Sequence, residues 1–186
     1  MTNTATDAAA VVPVYFDVAS MGGWFVAEPE RLTMDNMQVA LSRVGMDKAP
    51  HLLAHIHQAR MLTSTLAAVT VGGAWSDCDY PDRALDRDVW REMFGLAGYT
   101  QDGTAAERPT RTLTLYRGTV AERRADWSWT DRLDVARRYA AGIRQRPTGL
   151  VWTAEVPAAN LLCRNLAREE FEYVVDTEGL RITRFE

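Results

Sequence analysis

Three short segments in the second half of the chain carry side chains that could act together on a ligand. Arg117 ends the alternating stretch LYRG, Ser128 and Thr130 belong to WSWT, and Glu170 and Glu172 stand two positions apart in EFE. Residues i and i+2 of a strand share a face, so the two glutamates are expected to present adjacent carboxylates. Like charges on a half-buried face are unfavourable unless a cation or a ligand hydroxyl meets them. Because a strand-end arginine can bind a carboxylate or phosphate through two parallel hydrogen bonds, the set indicates a site for an anionic ligand.

Each segment taken alone also has a simpler interpretation. A strand with two glutamates is usually a solvated sheet face, and SWT is usually a helix start with Ser128 or Thr130 as the N-cap. LYRG is usually a strand end with a surface arginine, although Gly118 after it would let a bulky anion approach the backbone. The order of the segments along the chain is what favours a shared site.

Other residue types that could do chemistry give weaker indications. The three histidines, His51, His55 and His57, lack the acidic residue of an HExxH motif, so a polar stretch of a helix surface is the favoured interpretation. Cys78 and Cys163 form neither a CxxC pair nor a disulfide framework. The sequence predicts no metal site, and it contains no GxGxxG, P-loop or GxSxG motif.

The composition excludes several classes of protein. The chain has 186 residues, of which 47% are hydrophobic and 25% are charged, as in an ordinary globular protein rather than a disordered or fibrous one. A net charge of −4 argues against a protein that coats nucleic acid or an anionic membrane. No apolar run approaches the roughly 20 residues that span a bilayer, and the N-terminus lacks the basic region of a secretion signal. We therefore expect a cytoplasmic protein that does not act at a membrane.

The first hundred residues have mainly helical patterns. We predict a short strand over 12–18, closed by a turn at Gly22 and Gly23. Three helices are predicted after this turn: one over 32–44 with Gly45 as its C-cap, one over 47–68, and one from Asp86 through VWREMFGLAGY. The segment 71–84, between the second and third helices, is predicted to be an irregular connection.

After residue 110 the spacing of hydrophobic residues changes from a helical period to the alternation typical of strands. This change sets the predicted domain organisation. The remaining elements are predicted as four strands and one helix: strands over 111–119, 149–157, 170–177 and 180–185, and a helix over 133–144 capped by Thr130 or Asp131. The polar segment 100–110 is expected to be a linker. Helices followed by strands predict an α+β protein, with a mainly helical N-terminal lobe over 1–103 and a β-rich core over 104–186, or both as one integrated domain.

The order LYRG, SWT, a helix containing A-x-x-Y-A, VWTAEVP and EFEYVV resembles the arginine–serine–glutamate class of mono-ADP-ribosyltransferases. This class includes bacterial toxins, phage enzymes and vertebrate ecto-enzymes, and the resemblance covers about residues 111–185. It implies that Glu172 is the catalytic glutamate, Glu170 the upstream member of E-x-E, and Arg117 the arginine of the class. Ser128 and Thr130 would belong to the serine motif, although the triplet here is Ser-Trp-Thr and its distance from Arg117 is short for the toxins.

The resemblance implies a two-sheet β core with the helical lobe packed on it, and NAD as the substrate. Glu172 would oppose the positive charge that develops on the ribose as nicotinamide leaves, and Ser128 would orient Glu172 by a hydrogen bond. Arg117 would hold the pyrophosphate or the ribose, and Glu170 would take a proton from the nucleophile, which E-x-E members commonly find on arginine. The residues expected to contact NAD are Arg117, Gly118, Ser128, Trp129, Thr130 and Glu172.

The expected acceptor is a macromolecule of the host, in the first place a protein, with a nucleic-acid acceptor left open. The alternatives are an NAD glycohydrolase, a catalytically degraded nucleotide-binding module of the same fold, and an interaction protein in which E-x-E is a polar sheet face. Four aromatic side chains near the motifs could stack on nicotinamide or adenine or could be core residues: Tyr116, Trp127, Trp129 and Phe171. Ten arginines against four acidic residues between 108 and 146 make that stretch locally positive.

Overall fold

The computed structural model describes residues 12–15, 17–143, 146–166 and 169–185, and these form an α+β protein as the sequence predicts. Six helices come first and one follows within the β-rich part: α1 Val18–Ala27, α2 Met34–Val44, α3 Ala49–Gln58, α4 Ser64–Asp77, α5 Pro81–Ala84, α6 Arg87–Ala97 and α7 Leu133–Ala140. The described strands are β1 Thr100–Gln101, β2 Thr104–Ala105, β3 Leu113–Thr119, β4 Ser128–Thr130, β5 Leu150–Val156, β6 Leu161–Asn165, β7 Glu172–Val175 and β8 Thr183–Arg184.

Polar caps explain where several of the helices begin and end. The side chain of Asp17 accepts a hydrogen bond from the Ser20 amide at 2.8 Å, and Thr33 caps α2 in the same way. Gly45 ends α2 with a φ of 87°, which confirms the predicted C-cap and is a conformation that favours glycine. The predicted strand over 12–18 is wrong, because residues 12–15 form no strand and Val18 begins α1; Phe16 lies outside the described residues. Consequently Gly22 and Gly23 lie within a helix and not in a turn.

The predicted helix over 47–68 is two helices in the structure. The chain turns at Arg60, whose φ of 59° is outside the helical region, and Thr63 then caps α4 through its hydroxyl. The predicted irregular connection at 71–84 is also wrong, since α4 continues to Asp77 and α5 covers Pro81–Ala84. The buried residues of α4 recur at helical spacing, but apolar residues such as Val69 also lie on its exposed side, so the sequence shows little contrast between the two faces.

The helical half packs directly on one face of the sheet. Trp75 of α4 stacks on Trp127 with ring centroids 5.5 Å apart, and Trp90 of α6 meets Trp75 edge-on at 5.0 Å. Cys163 of β6 and Val174 of β7 belong to the same apolar cluster as these helices. The helices therefore share one core with the strands.

The strands form a single hydrogen-bonded sheet in the order β2-β1-β6-β7-β4-β3-β5-β8, which is mixed because β1 runs parallel to β6. This differs from the two-sheet core expected from the sequence. The sheet has two halves, β2-β1-β6-β7-β4 and β3-β5-β8. The connection between them is narrow, since β3 and β4 share only the pair Tyr116 and Thr130. A second apolar cluster takes side chains from β3 and β5 and also from β6 and β7, so the two halves fold over it: Leu115, Trp129, Ala154, Val156, Leu161, Tyr173 and Val175.

The predicted linker at 100–110 contains the hairpin of β1 and β2, in which Thr100 pairs with Ala105. The predicted boundary after residue 103 thus falls inside this hairpin, whose first strand joins the sheet through β6. Within the described ranges, no helix is long and apolar enough to cross a membrane.

Helix α7 packs on β3 and β5, on the opposite face of the sheet from the second cluster. In this contact Ala136 and Ala140 of the helix are buried together with Val151 of β5. Its predicted cap is wrong. Thr130 is the last residue of β4, its hydroxyl accepts from the Arg132 amide at 3.1 Å, and Arg132 itself occupies the N-cap position. The helix ends at Ala140, before the predicted end at residue 144, which lies outside the described residues.

Candidate active site

A row of paired residues crosses the middle of the sheet and positions the candidate catalytic glutamate. Asn165 pairs with Glu172, Glu172 with Thr130, Thr130 with Tyr116, and Tyr116 with Thr153. Directly paired residues of neighbouring strands point to the same face, so these five side chains lie on one face across five strands. Strand pairing thereby brings together residues that are up to 56 positions apart in the sequence.

A cleft opens over this row, between the sheet, α7 and the ends of α4 and α5. Every predicted site residue lines it: Arg117, Gly118, Ser128, Trp129, Thr130, Glu170 and Glu172. Its wall on the helical side includes Trp75, Cys78 and Asp82, which the sequence did not indicate. The enclosed part of the cleft measures about 90 Å³.

Glu172 is buried at the floor of the cleft, with 7% of its surface exposed. Its Oε2 accepts a hydrogen bond from Asn165 Nδ2 at 3.1 Å, and Asn165 also donates to the carbonyl of Gly72 at 3.2 Å. The expected orienting residue was Ser128, but the hydroxyl of Ser128 instead accepts from the indole of Trp75 at 3.1 Å. Asn165 therefore has the orienting contact that the sequence assigned to Ser128.

Arg117 is buried, and its guanidinium is held by acceptors of the protein itself. It donates to the carbonyl of Arg123 at 3.0 Å, to the carbonyl of Ser128, and to Asp126 Oδ2 at 3.0 Å. Burial lowers the pKa of Arg117, while Asp126 and Asp82 act in the opposite direction. The expected grip on a pyrophosphate would use these same donors, so the structure favours Arg117 as the residue that fixes the segment 123–128 beside the cleft.

Glu170 lines the cleft with Glu172, but not for the reason predicted. Strand β7 begins at Glu172, and the two residues on either side of Glu170 have positive φ values, 55° at Glu169 and 48° at Phe171. The pairing of carboxylates on one strand face is therefore wrong. A tight turn, rather than strand periodicity, brings Glu170 to the rim of the cleft.

Gly118 allows close helix packing, whereas the sequence suggested that it lets an anion approach the backbone. A Cβ at this position would overlap the carbonyl oxygen of Ala136 and would lie 2.5 Å from the amide nitrogen of Ala140. The absence of a side chain thus allows α7 to pack closely on β3. The space above this glycine is filled by the helix backbone, which leaves no path there for a bulky anion.

The aromatic side chains near the motifs divide into core and rim. Trp127 is fully buried and Trp129 is 2% exposed, and each belongs to an apolar cluster. Tyr116 meets Phe185 edge-on at 5.2 Å, and the guanidinium of Arg132 lies 4.9 Å from the ring of Phe171. The two tryptophans are therefore packing residues.

Asp82 is a titratable residue of the cleft that the sequence did not indicate. Its side chain is 10% exposed, and burial together with the nearby Asp126 raises its pKa to about 6. Arg117 and Arg87 oppose this shift, and Arg87 Nη2 lies 3.5 Å from Asp82 Oδ1. Perturbed carboxylates in clefts are typical of functional sites, although ion-pair networks also produce them. The local sequence signal at this position is Pro81, which can begin a helix, and it does not indicate that Asp82 is buried.

Two further cations, Arg123 and Arg146, line the cleft. Arg123 pairs with Asp126 at 2.7 Å and lies 5.2 Å from the ring of Tyr80. Arg146 lies 5.6 Å from the ring of Tyr139, and its Nη2 is 3.5 Å from the carbonyl of Asp79. These cations lie within the arginine-rich stretch that the sequence analysis identified, and they can attract an anion to the opening.

None of the three histidines lines the cleft, and both cysteines are buried. The three histidines are on α3, where His57 Nε2 is 2.9 Å from Glu92 of α6. Both cysteines are free and buried, and burial raises the pKa of each thiol. These surroundings disfavour a thiolate nucleophile at either position.

Comparison of the chain with protein-family models, curated proteins and solved structures finds no match.

Proposed function

We propose that the protein is an NAD-dependent mono-ADP-ribosyltransferase that acts in the cytoplasm on a macromolecular acceptor, in the first place arginine of a host protein. One observation carries the proposal. Three motifs separated in the sequence supply Arg117, Ser128 and Glu172 to a single cleft, with a second carboxylate, Glu170, at its rim. Those are the residue types that the resemblance assigns to this reaction.

Glu172 has the surroundings that an electrostatic catalyst needs. In the proposed reaction the bond between ribose C1′ and the nicotinamide nitrogen breaks, and its electron pair leaves with nicotinamide as a neutral molecule. Positive charge then develops on the ribose, and a carboxylate fixed in a buried position stabilises it without further reorganisation. The hydrogen bond from Asn165 and the pairing with β4 hold Glu172 in such a position.

Glu170 is suited to the acceptor. As the nucleophile forms its bond to C1′, its proton has to move to a base, and a carboxylate at the cleft opening can take it. Glu170 meets this need from a turn outside the strand, which separates it from Glu172 at the floor. The two carboxylates would thus serve different steps, one the sugar and the other the nucleophile.

The enclosed part of the cleft is too small for the whole of NAD. Its volume of about 90 Å³ is below the roughly 300–1,000 Å³ of a typical small-molecule pocket. The nicotinamide end would lie over Glu172, and the rest of the dinucleotide would extend outward past the cations Arg123 and Arg146. This direction places the phosphates beside positive charge.

The test is release of nicotinamide from NAD by the purified protein, compared with the variant Glu172→Gln. Glutamine keeps the shape of the side chain and removes the charge, so we expect the rate to fall on the order of 100–1,000-fold while the melting temperature stays within a few degrees. Mass spectrometry of host lysate incubated with NAD then identifies the acceptor. A Glu172→Gln variant that cleaves NAD within tenfold of the wild type would rule out Glu172 as the catalytic carboxylate.

A further inference from the structure

Asn165 connects the candidate catalytic glutamate to the helical half of the protein. It ends β6 and pairs directly with Glu172 of β7, and its Nδ2 lies 3.1 Å from Glu172 Oε2. The same nitrogen lies 3.2 Å from the carbonyl oxygen of Gly72 in α4. One side chain therefore bridges the floor of the cleft and a helix of the N-terminal half.

The two contacts define which way the amide of Asn165 faces. A side-chain amide nitrogen carries two hydrogens, and here each has an oxygen acceptor, one on Glu172 and one on Gly72. In the flipped orientation, the amide oxygen would face a carboxylate and a carbonyl, and both contacts would be repulsive. The amide is thus held with its donors toward Glu172, and the contact uses only one of the two carboxylate oxygens.

Gly72 supplies the room that Asn165 occupies. A Cβ on Gly72 would lie 3.3 Å from Asn165 Oδ1 and 3.3 Å from the buried Cys163 Sγ, closer than side-chain contacts normally are. Gly73, the next residue of the same helix, is exposed and has open space where its Cβ would be. The two adjacent glycines differ, therefore, in whether a methyl group reaches the support of Glu172.

We propose that Asn165 is the positioning residue of the reaction, and that α4 holds it in place through Gly72. The inference rests on the proposed function, since it assigns Asn165 a role through Glu172 rather than through contact with the substrate. The amide fixes Oε2 and leaves the other carboxylate oxygen to face the ribose. A displacement of Asn165 by a few tenths of an ångström moves the carboxylate relative to the reacting carbon, and catalysis is sensitive to displacements on this scale.

The first test compares Gly72→Ala with its matched control, Gly73→Ala. Both changes favour the helix, so Gly73→Ala is expected to keep or raise the melting temperature, whereas in Gly72→Ala the crowding of Asn165 and Cys163 opposes that gain. Gly72→Ala should lower kcat for nicotinamide release by about 3–10-fold and leave KM for NAD within about twofold, because binding is retained while the carboxylate is misplaced. Gly73→Ala should retain the wild-type kcat. Equal kcat values in the two variants would overturn the inference.

The second test asks whether Asn165 acts through Glu172. Asn165→Ala should lower kcat about 10–100-fold in the wild-type background, but by less than about twofold when Glu172 is already glutamine. If the two losses multiply, Asn165 acts independently of Glu172 and the inference is wrong. If Asn165→Ala does not fold, the glycine pair decides the question. A wild-type protein that releases no nicotinamide refutes the proposed function and this inference together, whereas an active wild type with unaffected variants refutes the inference alone.

Discussion

Asp82 is expected to destabilise the folded protein at neutral pH, and replacing it with asparagine should therefore stabilise the fold. Burial raises its pKa from 3.8 to about 6, which corresponds to about 3 kcal/mol of free energy against the charged form. Between these two pH values the folded state binds more protons than the unfolded state, so this contribution to stability decreases as the pH rises. Above pH 6 the full cost of about 3 kcal/mol applies, and below about pH 4 it disappears.

Urea unfolding at several pH values between 4 and 8 measures this effect. Asp82→Asn should exceed the wild type by up to about 3 kcal/mol at pH 8, and the difference should shrink toward zero at pH 4. The matched control is Asp86→Asn, where the same substitution affects an exposed carboxylate and should change stability by about 0.5 kcal/mol or less. A difference between Asp82→Asn and the wild type that does not depend on pH would refute the argument, because it would have to arise from something other than ionisation of this carboxyl group.

Three further substitutions test the roles of residues around the cleft. Arg117→Lys should cost about 3–5 kcal/mol in urea unfolding, since a lysine ammonium cannot reach all three acceptors of the guanidinium; a loss below 1 kcal/mol would contradict this. Gly118→Ala should cost about 3 kcal/mol or more by forcing α7 off β3, whereas Gly95→Ala, where a Cβ meets nothing, should not destabilise the protein. Glu170→Gln should abolish transfer of ADP-ribose to arginine while slow hydrolysis of NAD persists; a parallel loss of both products, measured in one reaction, would place Glu170 in the NAD site itself.

The elements predicted well are those with a clear local signal. The strand over 111–119 alternates in hydrophobicity and matches β3, and the helix over 32–44 ends at the predicted glycine. The division between helices and strands was therefore visible in the sequence. The errors occur where the local signal is weak or shared, as in α4, which is apolar around most of its surface and contains two adjacent glycines.

The order of the motifs indicated which residues line the cleft, but not how they are held. Glu170 and Glu172 were placed on one strand because their spacing fits a period of two, yet the backbone turns at Phe171 before the strand begins. Strand β6 was missed, as its five residues, LLCRN, show no alternation. Without β6 there was no reason to place Asn165 beside Glu172, because that contact depends on strand pairing and not on sequence distance.

Arg117 shows a different limit of reasoning from residue types. A strand-end arginine beside a glycine suggests a binding site for an anion. That interpretation holds only if the N–H groups of the guanidinium have no acceptors within the protein. Here, the carbonyls of Arg123 and Ser128 and the carboxylate of Asp126 lie six to eleven residues further along the chain. They accept hydrogen bonds from the guanidinium. The pattern showed that an arginine was present at the cleft, whereas the burial that decides its partners comes from the packing of the whole chain.

The helical half supplies a partner to several key residues of the sheet. Trp75 of α4 donates to Ser128, Gly72 of α4 fixes the amide that holds Glu172, and Asp82 of α5 lies close enough to Arg117 to influence its pKa. Each of these contacts comes from a segment before residue 100, although the motifs themselves all lie after it. The candidate site is therefore built by both halves of the chain, and α4 is the element through which a change in the helices would reach the carboxylate at the floor of the cleft.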